Sequence, residues 1–198
     1  MTIREKMKKG ILYIDVGEGL EEERKRCKEL LYDYNNTRPS EETKRKNLLK
    51  ELLGDMGEHI WIEAPVHMAY GINVHIGNHF YANFNLVIID DIDVYIGENV
   101  MIAPNVTITP TGHPVDSDLR RPGTQFSIPV KIGNNVWIGS NTVILPGITI
   151  GDNSVIGAGS VVTHDIPENV VAVGNPCRVL RKINERDKEY YYKNRRVE

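Results

Sequence analysis

Cysteine is scarce in this chain: Cys27 and Cys177 are the only two, 150 positions apart. That excludes the disulfide framework of a small secreted domain, and the spacing suits no metal site, so both read as reduced thiols of a cytoplasmic protein. Long hydrophobic runs are missing as well. No stretch approaches the roughly 18 apolar residues of a membrane span, and Met1 to Gly10 is charged where a signal peptide has an apolar run of about 7–15 residues. Nor is there a basic stripe. With a formal charge of −3, nucleic acid is not the expected partner. What remains is a chain of 198 residues, 40% hydrophobic, able to build one domain or one domain with an appendage.

What the chain does have is a clock. Ile132, Ile138, Ile144, Ile150, Ile156 and Val162 stand at every sixth position, and glycine follows four of them, at Gly133, Gly139, Gly151 and Gly157. Asn or Asp recurs just after, at Asn134, Asn141 and Asp152. A period of six matches neither a helix face nor an alternating strand. It describes one flat side of a coil: a short strand with an inward aliphatic residue, and a corner of Gly with Asn or Asp, residues that tolerate positive φ. Three sides make a turn of about 18 residues, stacked at strand spacing. Ile96, Ile102 and Ile108 keep the same time with Gly97, and Ile76-Gly77, Ala82 and Ile88 give a fainter version. The step from Ile88 to Ile96 is eight, which marks an insertion of two residues. Residues 72–166 therefore predict a parallel β-helix; a β-sandwich with coincidental isoleucines would not keep six matches in phase.

The ends differ. Residues 1–60 are rich in Lys and Glu and predict an N-terminal helical segment: one stripe of Leu20, Leu30, Leu31 and Tyr34, a break at residues 35–39, then a helix capped by Ser40 that runs through Leu48, Leu49, Leu52 and Leu53 to Gly54. Two such helices cannot bury both stripes alone, so they are expected to lie on the β-helix or on a neighbouring copy. The β-helical domain is assigned to 61–182. The tail 183–198, with Tyr190, Tyr191 and Tyr192, reads as a helix or an extended arm.

The repeats are broken between Ile108 and Ile132, where Thr109 to Lys131 forms a long loop containing Gly112-His113-Pro114 and Arg120-Arg121. Regular stacking gains nothing from such an excursion, and long loops in compact domains are commonly functional. His113 is its one group suited to proton transfer near neutral pH. His75 and His79 have the spacing of zinc ligands on a helix, but the corner Ile76-Gly77 lies between them, and that spacing carries no meaning there. His59, His67 and His164 have no partner pattern and read as structural or solvated.

At this level of detail the chain resembles a known family. The segments YANFN (81–85), DD (90–91), IGENVMIAPNVTITPTGHPV (96–115), IGNNVWIGS (132–140) and IGDNSVIGAGSVVTHDIPENVVAVGNPCRV (150–179) are similar to the galactoside and maltose O-acetyltransferases among the hexapeptide acyltransferases, as are NTRPSEETKR (36–45) and INERDKEYYYK (183–193). The resemblance implies a mainly β fold, a left-handed parallel β-helix with an N-terminal α-helical segment and a long interrupting loop. It further implies a homotrimer with sites between subunits, acetyl-CoA as acyl donor, no metal, and a sugar acceptor. By motif match His113 is the general base and Ser140 an oxyanion donor. Asp15, Arg24, Tyr81, Asn83 and Asp91 surround the acceptor. Trp137, Gly139, Ala158, Thr163, His164, Arg178 and Arg181 map to coenzyme A, with His164 standing where related sequences commonly carry Lys.

Two other functions are compatible with the repeats. A zinc hydratase of the γ-carbonic-anhydrase type would draw ligands such as His75, His79 and His113 and would require metal. A noncatalytic β-helical scaffold would bind no acyl-CoA and would use the excursion only to lock subunits together.

Overall fold

The computed structural model describes all of residues 1–198. Its centre is a three-sided parallel β-helix. Side one stacks the strands Asp55–Met56, Val74–Ile76, Val94–Ile96, Val130–Ile132 and Thr149–Ile150. Side two stacks Trp61–Ile62, Tyr81–Ala82, Met101–Ile102, Trp137–Ile138, Val155–Ile156 and Val170–Val173, and is closed by the antiparallel strand Arg178–Lys182. Side three stacks Val66–Met68, Leu86–Ile88, Thr107–Ile108, Val143–Ile144 and Val161–Val162.

The six clock residues 132–162 point inward and are 0–3% exposed. A second inward position two residues earlier in each repeat carries Val74, Val94, Val100, Val106, Val130 and Val136. Where that position is polar, its hydroxyl finds a carbonyl: Thr142 Oγ1 bonds Gly139 O at 2.7 Å and Ser160 Oγ bonds Gly157 O at 2.6 Å within their own coils, and Ser154 Oγ bonds Pro167 O of the next coil at 2.8 Å.

The corners meet the sequence expectation at Asn141 and differ from it at Asn134 and Asp152. Positive φ falls on Asn135 and Asn153, one place beyond Asn134 and Asp152, and on Asn99, Asn141 and Asn169 among others. Asn134 and Asp152 instead accept the backbone N–H of the neighbouring coil, Glu98 N–H to Asn134 Oδ1 and Asn134 N–H to Asp152 Oδ1. The corner glycines are required by close approach, since a Cβ on Gly139 would meet the Ala158 nitrogen at 2.5 Å.

These corner bonds also measure each coil. Their partners are 20 residues apart at Glu58–Asn78, 36 at Glu98–Asn134 and 18 at Asn134–Asp152. The lower coils therefore hold two extra residues, and the excursion adds eighteen more to one turn. It leaves after Ile108 as a hairpin, Thr111–Gly112 against Phe126–Ser127, and carries a short helix, Ser117–Arg120, capped by Asp116.

At the N-terminal end, α1 (Ile3–Lys8), α2 (Leu20–Asn35) and α3 (Glu42–Leu52) precede the coils. Cys27, Leu31, Tyr34, Leu49, Leu52 and Leu53 join the same apolar core as the coil isoleucines, so α2 and α3 plug their own prism. Tyr34 Oη and Arg45 Nη2 both donate to the Ile62 carbonyl, at 2.5 and 2.7 Å, closing the first coil. Helix α3 starts later than expected: Glu41, not Ser40, precedes it, and its carboxylate takes the Arg38 N–H at 2.7 Å. The tail forms neither a long helix nor a free arm. It folds as the short helix Arg186–Glu189 and a hairpin of Tyr190–Tyr192 with Arg195–Arg196.

Burial of one such isoleucine contributes roughly 1.5–3 kcal/mol. Ile138→Ala is expected to cost about 2–5 kcal/mol and Ile138→Val about 0.5–1.5, read from urea unfolding midpoints at fixed protein concentration.

Candidate active site

The two-residue insertions and the excursion meet at one edge of the prism, between sides three and one. Asp91, in the insertion after Ile88, is buried at 6% exposure. Gln125 Nε2 reaches its Oδ2 at 3.4 Å, and Gln125 also donates to Tyr13 Oη at 3.1 Å. Tyr13 forms a single antiparallel bridge to Gln125 through both backbone bonds, at 3.0 and 2.9 Å. Two residues further along stands Asp15. Its carboxylate takes Arg24 Nη1 at 2.9 Å and its carbonyl takes Nη2 at 3.0 Å. Nη1 also donates to Tyr70 Oη at 2.5 Å. Arg24 thus ties Asp15 to the coil, close enough that both charges act on Asp91; Asp91 itself lines a cavity of about 330 Å³ together with Arg4, Glu23, Asn73 and Asp93. Burial raises Asp91 above the ordinary carboxylate range, with Asp15 adding to the rise and Arg24 opposing it. Burial likewise pushes the Tyr13 and Tyr70 hydroxyls up to about 12, so both remain neutral hydrogen-bonding groups.

His113 extends from the same hairpin and is exposed. Its Nδ1 lies 2.8 Å from the carbonyl oxygen of Thr124. A carbonyl can only accept, so Nδ1 carries the proton and Nε2 keeps its lone pair. The fold therefore selects the tautomer in which Nε2 can act as a base, and Thr124 adjoins Gln125, which links the imidazole to the Asp91 pocket.

The remaining residues divide by position. Asn83, Ala103, Gly139 and Gly157 open the edge between sides two and three, joined by Asn83 N–H to Ile102 O at 2.8 Å, Ala103 N–H to Ile138 O at 2.9 Å and Gly139 N–H to Ile156 O at 2.8 Å. Ser140 and Ala158 lie on this edge, and Tyr81 and Trp137 stand beside it on the outer face of side two, 36% and 51% exposed. Ser140 uses its carbonyl to receive Gly159 N–H at 2.8 Å, while its N–H and hydroxyl bond to nothing within the chain. The other edge is joined by Ile89 N–H to Ile108 O, Thr109 N–H to Ile144 O and Leu145 N–H to Val162 O, and carries Asp91, the root of the excursion and Thr163. A whole six-residue side, roughly 15–20 Å, lies between the two edges.

Above them, Thr163 Oγ1 bonds His164 Nδ1 at 2.8 Å, and His164 and Arg178 line a cavity of about 310 Å³ with Asp165, Ile166, Cys177 and Val179. Arg181 points elsewhere: Asp187 holds its guanidinium through both oxygens, each at 2.7 Å, and that pairing lowers the Asp187 carboxyl to about 2. The histidines weighed as zinc ligands are not brought together within the chain. His75 bonds Asp93 at 2.9 Å and stacks on Tyr95, and His79 stacks on His59.

Sequence reasoning missed Tyr13, Tyr70, Gln125 and Thr124. Tyr70 had a readable signal, because Met68 to Ile76 is another step of eight and hence another insertion. The others become site residues only through the pairing of residue 13 with residue 125, which no local pattern announces.

A buried, raised carboxyl works against the fold. The ionised form of Asp91 is the penalised one, so its contribution to stability is present in acid and lost as pH rises past the usual carboxylate range. The melting-temperature difference, Asp91→Asn minus wild type, should be more positive at about pH 7, above the carboxylate range, than at about pH 3, below it; an equal difference at both would show the carboxyl is not penalised.

Comparison with known proteins agrees with this architecture. Residues 6–57 match the maltose acetyltransferase hexapeptide capping motif and residues 129–164 match the bacterial transferase hexapeptide family, six repeats. The chain is 59% identical over 198 residues to galactoside O-acetyltransferase of Escherichia coli K12, covering 100% of this chain and 98% of the relative. A solved galactoside acetyltransferase in complex with coenzyme A superposes with a TM-score of 0.99 at 58% identity, covering 100% and 99% of the two chains. A maltose O-acetyltransferase from Clostridium difficile 630 superposes with a TM-score of 0.91 at 51% identity, covering 93% and 99%. The chain belongs to the galactoside and maltose O-acetyltransferase family of hexapeptide-repeat acetyltransferases.

Proposed function

We propose that the protein moves the acetyl group of acetyl-CoA to a sugar hydroxyl by direct transfer, at a site formed between two copies of the chain in a homotrimer. The observation that carries this reading is the matched order of groups along the two edges. On one edge Asp91 is lowest, His113 comes next from the turn after Ile108, and Thr163, His164 and Arg178 lie above. On the other edge Tyr81 and Asn83 are lowest, then Trp137, Gly139 and Ser140, then Ala158. Each coil adds about 4.8 Å, so four coils give a groove of roughly 19 Å, suited to an extended pantetheine arm with the acceptor at its foot. One chain cannot bring the edges together; a neighbour's edge set against its own can.

The outer face of side two supports this assembly. Trp61, Tyr81, Met101 and Trp137 form a ladder in register, 36–54% exposed, an apolar strip of the kind that subunit contacts cover.

In the proposed reaction the sugar occupies the Asp15, Arg24 and Asp91 pocket with Tyr81 and Asn83 of the neighbouring copy. Carboxylates accept from adjacent sugar hydroxyls, and the tyrosine offers a flat surface to the ring. His113 Nε2 takes the hydroxyl proton as the sugar oxygen attacks the thioester carbonyl. Ser140, with free N–H and hydroxyl, receives the developing oxyanion. As the carbon–sulfur bond breaks, the proton passes from the imidazole to the departing thiolate, leaving free coenzyme A and the O-acetyl sugar. Trp137, Gly139 and Ala158 line the arm, and Thr163, His164 and Arg178 hold its far end, with Arg181 available once it leaves Asp187. No metal enters this reaction, and the protein acts in the cytoplasm on galactoside, glucoside or maltose-type acceptors.

His113→Ala is expected to lower turnover by roughly 10²–10⁴-fold while coenzyme A affinity changes less than about threefold. Release of free thiol with a panel of sugars and acetyl-CoA measures the first, and calorimetric titration with coenzyme A the second. Full activity in the variant would remove His113 from the mechanism.

A further inference from the structure

Asp90 is fully buried, at 0% exposure, and makes an unusual set of bonds. One carboxylate oxygen, Oδ1, accepts the backbone N–H of both Ala69 and Tyr70, each at 2.9 Å. Its own carbonyl accepts Asn73 Nδ2 at 2.6 Å. The second oxygen, Oδ2, is buried without a partner. All three bonds tie the insertion of residues 69–73 to the insertion of residues 89–93 directly above it. Burial pushes the Asp90 carboxyl up to about 6, a cost that the backbone donors only partly offset. A corner staple by itself does not require a carboxylate with an orphaned oxygen, and other corners of this prism are held by Asn.

What the staple fixes is the wall of the sugar pocket. Tyr70 carries the bond onward: its hydroxyl receives Arg24 Nη1, and Arg24 holds Asp15 by side chain and backbone. Asp91 follows Asp90 directly. Arg4 and Arg24 both lie over the Tyr70 ring, at 5.2 and 5.5 Å from its centroid, so the ring is also the platform on which two guanidinium groups rest. The geometry points to Asp90 as a positioning residue for acceptor recognition, which sets the separation of Asp15 and Asp91 through the relay Asp90–Tyr70–Arg24–Asp15 without touching the sugar. This rests on the acyl-transfer reading above for the identity of the pocket.

The test separates the two substrates. In Asp90→Ala the KM for a sugar acceptor should rise roughly tenfold, the worth of one or two well-made hydrogen bonds, with the KM for acetyl-CoA changed less than about twofold. Asp90→Asn keeps an oxygen for the two N–H donors and should recover most of the loss. Both KM values moving together, or neither moving, would overturn the proposal. Should Asp90→Ala fail to fold, Tyr70→Phe removes only the hydroxyl that holds Arg24; a severalfold rise in acceptor KM alone supports the relay, and an unchanged acceptor KM contradicts it. If the wild-type protein acetylates no sugar, the acyl-transfer reading fails by itself, and the relay is then judged by amide hydrogen exchange: Tyr70→Phe should speed exchange across residues 13–16, and unaltered exchange there would refute it.

Discussion

Everything in this protein depends on the inward stacking of aliphatic side chains at a six-residue period. Each coil must lay its isoleucines on those of the coil below, because a shift of one residue turns the inner row outward. The constraint holds from Ile76 through Ile96 and Ile132 to Ile150 on side one, unaffected by the very different lengths of chain between them. A prism built this way cannot absorb irregularity in its walls. Extra residues are forced out at the edges, where two coils carry insertions of two and a third carries the whole excursion.

That mechanical rule explains why the polar groups collect where they do. The insertions stack on each other, the excursion leaves from the same edge, and the N-terminal segment is drawn in beside it by the Tyr13–Gln125 pairing. The result is a group of two buried carboxylates, a half-buried carboxylate paired with a guanidinium, and two neutral tyrosines. Asp90 and Asp91 would each be more stable protonated, yet they sit at the centre of it. Polar groups retained against the interest of the fold are the usual mark of a site kept for function.

Much of the fold is legible from the isoleucine spacing, including the coils of residues 72–166 and the position of the interruption; the first coil, from Asp55 to Met68, and the last strand, Val170–Val173, lie outside the span that the spacing marks, because Met56, Met68 and Ala172 take the inward positions there. Handedness is not legible, because a period of six is the same for either hand, and it came from the resemblance alone. The corner residue is legible at Asn141 but lies one place on at Asn135 and Asn153, since neighbouring Asn and Asp are indistinguishable in sequence, and only the adjoining coil decides which bonds and which turns. His113 was readable as the one imidazole in a loop with no structural purpose. Thr124, which fixes its tautomer, and Gln125, Tyr70 and Tyr13, which lie around Asp91 and Asp15, are brought in by bonds between distant parts of the chain, and no local period encodes those. Arg181 shows the opposite case, a residue with an evident motif whose side chain the fold has already paired with Asp187.

The division of the reacting groups between two edges of the prism is the central claim, and mixing subunits tests it most directly. Chains carrying His113→Ala and chains carrying Tyr81→Ala with Asn83→Ala would be co-expressed with different tags, mixed assemblies isolated, and acetyl transfer to a sugar measured. A shared site predicts that mixed assemblies are clearly more active than either parent, since some grooves pair an intact His113 edge with an intact Tyr81 and Asn83 edge. Activity in the mixture no greater than the average of the two parents would contradict the account.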